Sequence, residues 1–180
     1  MKSDVYDIAV ICTDAVDKFI NETEEFVIIG VITENTDVLL RKEGSGNKIG
    51  VTNNKYILKD LVENLYDNNV DVEFMSPHAF PYAYETNQID GFVIDIALLN
   101  SSLEGELVNL SDGDYDSNVI IANKKIIKDY KFKKFIKAYN NMVLDYNDNP
   151  KEDYFDYKFG EYEGRKSVWK VKLNQVNLKK

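Results

Sequence analysis

The feature that most restricts this chain is an alternation of strand and helix patterns between residues 48 and 96. "KIGVT" (48–52) reads as a short strand. The following "NNKYILKDLVENLYDNN" places Ile57, Leu58, Leu61, Val62 and Leu65 on one side of an amphipathic helix. "VDVEFM" (70–75) reads as a second strand. Ser76 and Pro77 then supply an N-cap and a proline at the first helical position, opening a short helix to about Asn87. "IDGFVIDI" (89–96) is the third strand. Strand, helix, strand, helix, strand is the pattern of a parallel sheet with right-handed crossovers.

The flanks are also α/β. "VYDIAVIC" (5–12) reads as a strand and "TDAVDKFIN" (13–21) as a helix with Thr13 as N-cap. "FVIIGVIT" (26–33) is a β-branched run of the kind covered on both faces, and 36–42 is a further strand. Beyond the central unit, "NVIIAN" reads as a strand. A helix over about 129–146 follows, with Phe132, Phe135, Ile136, Tyr139, Val143 and Tyr146 as its apolar stripe. "SVWKVKL" fits an edge strand or a helical turn, and both readings stay open.

Two linker-like stretches, 43–47 ("EGSGN") and 110–117, bracket the central unit. The expected organisation is therefore two lobes: residues 1–43 with 111–180, and 44–110. The predicted fold class is α/β, with two small parallel-sheet lobes joined by two crossovers. That topology suits a cleft that closes on a ligand.

Net charge is −9, unevenly spread. Residues 44–110 carry ten acids and three lysines, a balance of −7. Residues 124–137 carry seven lysines against Asp129, a balance of +6. The last seventeen residues, from Gly164, hold six basic residues and no acid. An acidic chain lacks the footprint of a nucleic-acid binder, so no such partner is expected. The basic stretches suit an anionic partner, but the preferred reading is a solvated helix face turned toward the acidic segments. One Cys and one His exclude an internal disulfide and a Cys/His zinc site. No metal or cofactor is implied. The opening residues show no signal peptide and no lipidation cysteine, and no apolar run is long enough to cross a membrane.

Five segments, in this order and spacing, carry a resemblance: "YDIAVI", "FVIIGVITENTDVLLRK", "KIGVTNN", "NQIDGFVIDIAL" and "FKKFIKAYNNMVLDYNDNPKE". Together they resemble the type 2 substrate-binding proteins of ABC transporters, in particular the group for thiamine precursors, sulfonates and nitrate-like solutes. The resemblance covers residues 5 to 155. It implies a non-enzymatic protein that holds a small polar molecule between two lobes and works with an ABC permease. It also implies an extracytoplasmic location and ligand contacts in the turn at 52–54. The family opens with a further strand, helix and strand, so the first lobe is expected to be truncated. Its strand 5–12 or 26–33 is expected to have an open edge. Pairing of that edge with a second copy, giving a homodimer, is the favoured outcome; fold-back of residues 164–180 is the other route.

In open parallel sheets, ligands sit beyond the carboxyl ends of the strands, near helix starts. The candidate ligand-binding residues are accordingly Thr13 and Asp14 after the first strand, Thr52, Asn53 and Asn54 after 48–52, and Asp95 at the end of 89–96. N-capping is the competing role for the Thr and Asn groups, and capping of "IALLN" for Asp95. Asp90 reads as structural, accepting backbone N–H groups at the strand entrance. His78 has no nucleophile at recognisable spacing, and Cys12 reads as a small buried residue. Tyr154, Phe155, Tyr157, Phe159 and Tyr162 read as a flap over the sheet. No phosphate loop, dinucleotide fingerprint or H-E-x-x-H occurs, and no acid–base pair stands out. A solute-binding protein is therefore the leading reading. A scaffold that has lost ligand binding and dimerises through the open edge is the second, and an enzyme on the same fold the third.

Overall fold

A computed structural model of the chain describes residues 6–44, 46–99, 103–148 and 171–178. The chain divides into two compact units. One runs through Asn35, resumes at Tyr115 and takes in the segment from Val171; the other runs from Thr36 to Asp114. In chain order the first unit opens with β1 (Ile8–Cys12), α1 (Thr13–Glu22) and β2 (Phe26–Glu34). The second contributes β3 (Asp37–Arg41), β4 (Lys48–Thr52), α2 (Tyr56–Leu65), β5 (Asp71–Met75), α3 (Phe80–Glu85), β6 (Gly91–Asp95) and β7 (Glu106–Asn109). The first unit then resumes with β8 (Asp116–Asn123), α4 (Tyr130–Asp148) and β9 (Lys172–Leu173).

The sheet of the first unit has the order β1-β8-β2-β9. β8 runs antiparallel to both β1 and β2, with Val10 opposite Ile120 and Val27 opposite Ala122. The parallel pairing expected for this lobe is therefore replaced by an antiparallel one. β1 and β2 do point the same way, as a strand–helix–strand unit requires, but β8 lies between them. Its Val119, Ile120, Ile121 and Ala122 are all buried. Such a segment needs partners at both edges and cover on both faces, and only the centre of the sheet supplies them. Alternation sends Val119 and Ile121 toward Val16 of α1, with Phe26. Ile120 and Ala122 go to the other face, against Phe132 and Ile136 of α4. Unlike its stripe neighbours Phe132, Ile136 and Val143, Phe135 stays exposed. β1 is left at the edge, its outer side without a partner among the described residues.

The C-terminal segment covers the other edge. β9 pairs with β2, Leu173 opposite Thr33. Val176 is buried in the α4-side core, and its N–H donates to Asn140 Oδ1 at 2.9 Å while Asn140 Nδ2 donates to the Val176 carbonyl at 2.8 Å. The Tyr139 hydroxyl lies 3.0 Å from the Asn174 carbonyl and 3.3 Å from that of Ile32, tying α4 to both strands. The Tyr-rich stretch at 154–162 lies outside the described residues.

The second unit carries a five-stranded mixed sheet of order β5-β4-β6-β3-β7. Its centre is parallel as the sequence pattern predicts: Thr52 is opposite Met75, and Gly50 opposite Phe92. β3 and β7 add an antiparallel edge, with Leu39 opposite Val93 and Val108. β3 thus belongs to this unit and not to the first, and residues 43–47 fall within it. Val38, Leu39 and Leu40 are all buried, so β3 needs cover on both faces and a neighbour on each side. Beneath the strands, Phe92 stacks on Phe80 at 5.0 Å and meets Tyr84 edge-on. Gly91 is required by close approach, because a Cβ there would stand 2.7 Å from the Leu40 carbonyl oxygen.

Candidate functional site

The three parallel strands of the second unit end at Thr52, Met75 and Asp95, and the register sets these ends side by side. The turn after β4 is built by the backbone. Lys55 N–H returns to the Thr52 carbonyl at 3.1 Å, and Asn53 N–H donates to the Met75 carbonyl at 3.1 Å. Asn54 takes the left-handed conformation, φ 65°, which asparagine tolerates better than most residues. The N-cap of α2 is Lys55, and no side chain caps the helix. Thr52, Asn53 and Asn54 therefore do not fill the capping role. Among the described residues, their hydroxyl and amide groups have no hydrogen-bond partner, and both Asn side chains are exposed. Four backbone N–H groups at a helix start lack intrahelical partners, and the dipole adds positive potential there. Unspent hydroxyl and amide groups next to such a helix start can donate to an anionic or polar ligand.

Two aromatic residues that the sequence pattern did not single out border this turn. Tyr56, the first residue of α2, meets Phe74 of β5 edge-on at 5.5 Å. Tyr56 is 61% exposed. The signal was present in "NNKYIL", a tyrosine immediately after the polar turn, but helical periodicity assigned no role to it.

Asp95 plays the second of its two candidate roles: Oδ1 accepts the Ala97 N–H at 2.8 Å and caps the 3-10 turn Ile96–Leu98. Asp90 closes the other end of β6. Its Oδ2 accepts the Lys48 N–H at 2.9 Å, and its own N–H donates to the Lys48 carbonyl at 2.7 Å. The two acids that bound this buried strand thus each satisfy backbone at an end of the ladder.

In the first unit, the helix after β1 is capped by Cys12, not Thr13, and no side chain bonds the cap. The Thr13 hydroxyl donates to the Asp116 carbonyl at 2.7 Å and lies 3.3 Å from that of Ser117. It pins α1 to the start of β8. Asp14 lies in the first turn of α1. His78 is exposed at the 3-10 turn Pro77–Ala79. A concavity of about 620 Å³, lined by Lys42, Glu43, Glu104, Gly105 and Glu106, opens at the amino end of β6, away from the turn at 52–54. There the Lys42 ammonium already donates to the Tyr84 carbonyl and Asn87 Oδ1, and sits 4.7 Å from the Tyr84 ring centroid.

No protein-family model matches the sequence, and no curated protein matches it. Solved structures do match. The ligand-binding component of an ABC-type import system from Staphylococcus aureus, solved with zinc bound, superposes with a TM-score of 0.69 at 14% identity, over 98% of this chain and 70% of that one. An ABC transporter protein from Parabacteroides distasonis gives 0.64 at 16% identity, over 89% and 63%. The alkanesulfonate-binding protein from Xanthomonas axonopodis pv. citri, bound to MOPS, gives 0.56 at 10% identity, over 88% and 62%. The chain has the fold of ABC-type substrate-binding proteins. It spans 62–70% of these neighbours' lengths, and at these identities the likeness is one of fold.

Proposed function

We propose that the chain is a non-enzymatic solute-binding protein whose ligand, a small molecule with an oxyanion or similarly polar group, docks at the carboxyl ends of β4 and β5. The observation that carries this reading is the turn at 52–54. Three successive hydrogen-bonding side chains without a partner among the described residues stand before a helix that no side chain caps. Hydroxyl and amide donors with helix N–H groups behind them fit a carboxylate or sulfonate, and Tyr56 and Phe74 offer an apolar border. In this reading Asp95 keeps its capping bond beside the ligand turn, and an ABC permease receives the solute. The groups at the turn are donors and acceptors with no nucleophile and base among them, which supports binding over turnover. Substrate-binding neighbours of the same fold, one of them solved with a sulfonate buffer, support it further.

The experiment is a thermal-shift and calorimetric screen of the full chain against amino acids, amines, pyrimidines, carboxylates and sulfonates. A ligand held at this turn raises the melting temperature in the wild type and fails to do so after Thr52→Ala with Asn53→Ala. A ligand bound equally well by both proteins places the site elsewhere.

A further inference from the structure

Helix α4 carries its charges against its own dipole. The amino end of a helix bears partial positive charge and is stabilised by acids, the carboxyl end by bases. Here Lys131, Lys133, Lys134 and Lys137 crowd the first two turns, no acid lies in the first turn, and the far end carries Asp145 and Asp148. Asp129, just before the helix, is occupied as a cap: its Oδ1 accepts the Lys131 N–H at 2.7 Å. The helix dipole does not account for this arrangement, since the four lysines and the two terminal aspartates sit at the less favourable ends.

The lysines are not consumed internally either. All seven between 124 and 137 are exposed, and among the described residues only Lys125 pairs with a carboxylate, Asp7, at 3.6 Å. The helical part of this stretch is thus a solvated face, as the sequence suggests. Helical spacing sets Lys134 and Lys137 on the side opposite Phe132 and Ile136, which face the core, with Lys133 and Lys131 on its two flanks. Tyr130 stands on the same side, 71% exposed, with the Lys134 ammonium 5.6 Å from its ring centroid.

We propose that this lysine face of α4 docks on an anionic lipid surface. The cluster is made of lysines with no arginine. Arginine is the residue of bidentate, geometrically fixed phosphate recognition, whereas lysines respond as point charges to a diffuse negative field. Four to eight such residues on an amphipathic helix suit anionic headgroups, and an exposed tyrosine beside them suits the headgroup layer. The chain's net charge of −9 makes the docking oriented, because an anionic bilayer repels the protein in most other poses.

The test is co-sedimentation of the full chain with phosphatidylcholine vesicles, with and without phosphatidylglycerol. The comparison protein carries Lys131→Gln, Lys133→Gln, Lys134→Gln and Lys137→Gln. The wild type is expected to pellet with the anionic vesicles only, and to be released as salt shortens the screening length. The quadruple variant is expected to lose roughly 30-fold or more in partitioning, while melting at the same temperature or higher. Lys18→Gln, on α1, should leave partitioning unchanged. Equal pelleting of wild type and quadruple variant overturns the proposal, as does indifference of the wild type to lipid charge. Lysine-dependent binding to a single-stranded oligonucleotide without vesicle binding would give the face to a different partner.

Discussion

The turn from β1 into α1 and the turn from β4 into α2 look alike in sequence, a strand followed by Thr and a short polar run. Their side chains are used in opposite ways. Both helices start without a side-chain cap. After β1, the Thr13 hydroxyl is bonded to the carbonyl of Asp116 and turned into a fastener between α1 and β8. After β4, the backbone alone closes the turn, through Lys55 N–H to Thr52 and Asn53 N–H to Met75, leaving the Thr52, Asn53 and Asn54 side chains unspent. Residue type does not distinguish a turn whose side chains are spent inside the fold from one whose side chains are left over. What distinguishes them is whether the neighbouring strand brings a carbonyl within reach of the hydroxyl. The antiparallel start of β8 does so beside α1.

The most damaging way to break the comparison is to remove what supports the second turn. Phe92 is fully buried in β6, stacked on Phe80 and edge-on to Tyr84. Phe92→Ala should cost about 3–5 kcal/mol in urea unfolding. A loss below about 1 kcal/mol would mean that the strand relaxes around the cavity and that its packing does not hold the site.

Next in size is the direct test of the unspent groups. Thr52→Ala with Asn53→Ala should weaken binding at least about tenfold, which is about 1.4 kcal/mol. Stability should change by no more than about 0.5 kcal/mol, because no internal hydrogen bond is lost. The mirror experiment is Thr13→Val in the first turn. It should lower stability by about 1–1.5 kcal/mol through the lost bond to Asp116, measured by denaturant titration. If Thr13→Val instead leaves stability intact, the contrast between the turns fails.

Much of this was legible in the sequence. The parallel core of the second sheet followed from the strand–helix alternation, and the structural role of Asp90 from its place at a strand entrance. Strand partners were less legible. "DVLLR" and "NVIIAN" each read as a strand, but a strand pattern does not say which sheet takes it. β3 went to the second sheet, and β8 inserted itself between β1 and β2. At the site, the pattern identified the polar turn but not Tyr56, because exposure of an aromatic at a helix start depends on packing against Phe74, which is distant in sequence.

A smaller effect separates the two sheets by pH. Burial raises the Tyr139 phenol above its usual value near 10. A phenol with a raised folded-state pKa ionises first in the unfolded chain, so its contribution to stability is lost as pH climbs above about 10. Tyr139→Phe should cost about 0.5–1 kcal/mol at neutral pH and flatten the alkaline decline of the first unit, followed by near-ultraviolet dichroism. An unchanged decline would assign it to other groups.

The smallest effect belongs to the end of the second sheet farthest from the turn at 52–54. Lys48 Nζ lies 2.7 Å from Glu73 Oε2, linking the start of β4 to the middle of β5. The hydrogen bond to Glu73 raises the lysine pKa above 10.5, followed by that carboxylate's charge and, more weakly, those of Asp71 and Asp90. A cation whose folded pKa is raised contributes stability below its unfolded pKa and loses it as pH rises through the folded value. Both side chains are substantially exposed, so solvent screens the pair. Lys48→Gln should therefore lower the melting temperature only slightly at pH 7, and the deficit should shrink above pH about 10.5. Because Lys48 and Thr52 are the two ends of one five-residue strand, the same variant also controls for the site. Ligand affinity should be unaffected, since the proposed contacts lie at the carboxyl end of β4. A variant that loses affinity along with its ion pair would show that β4 transmits strain along its length, and the division between a structural end and a binding end of this sheet would have to be abandoned.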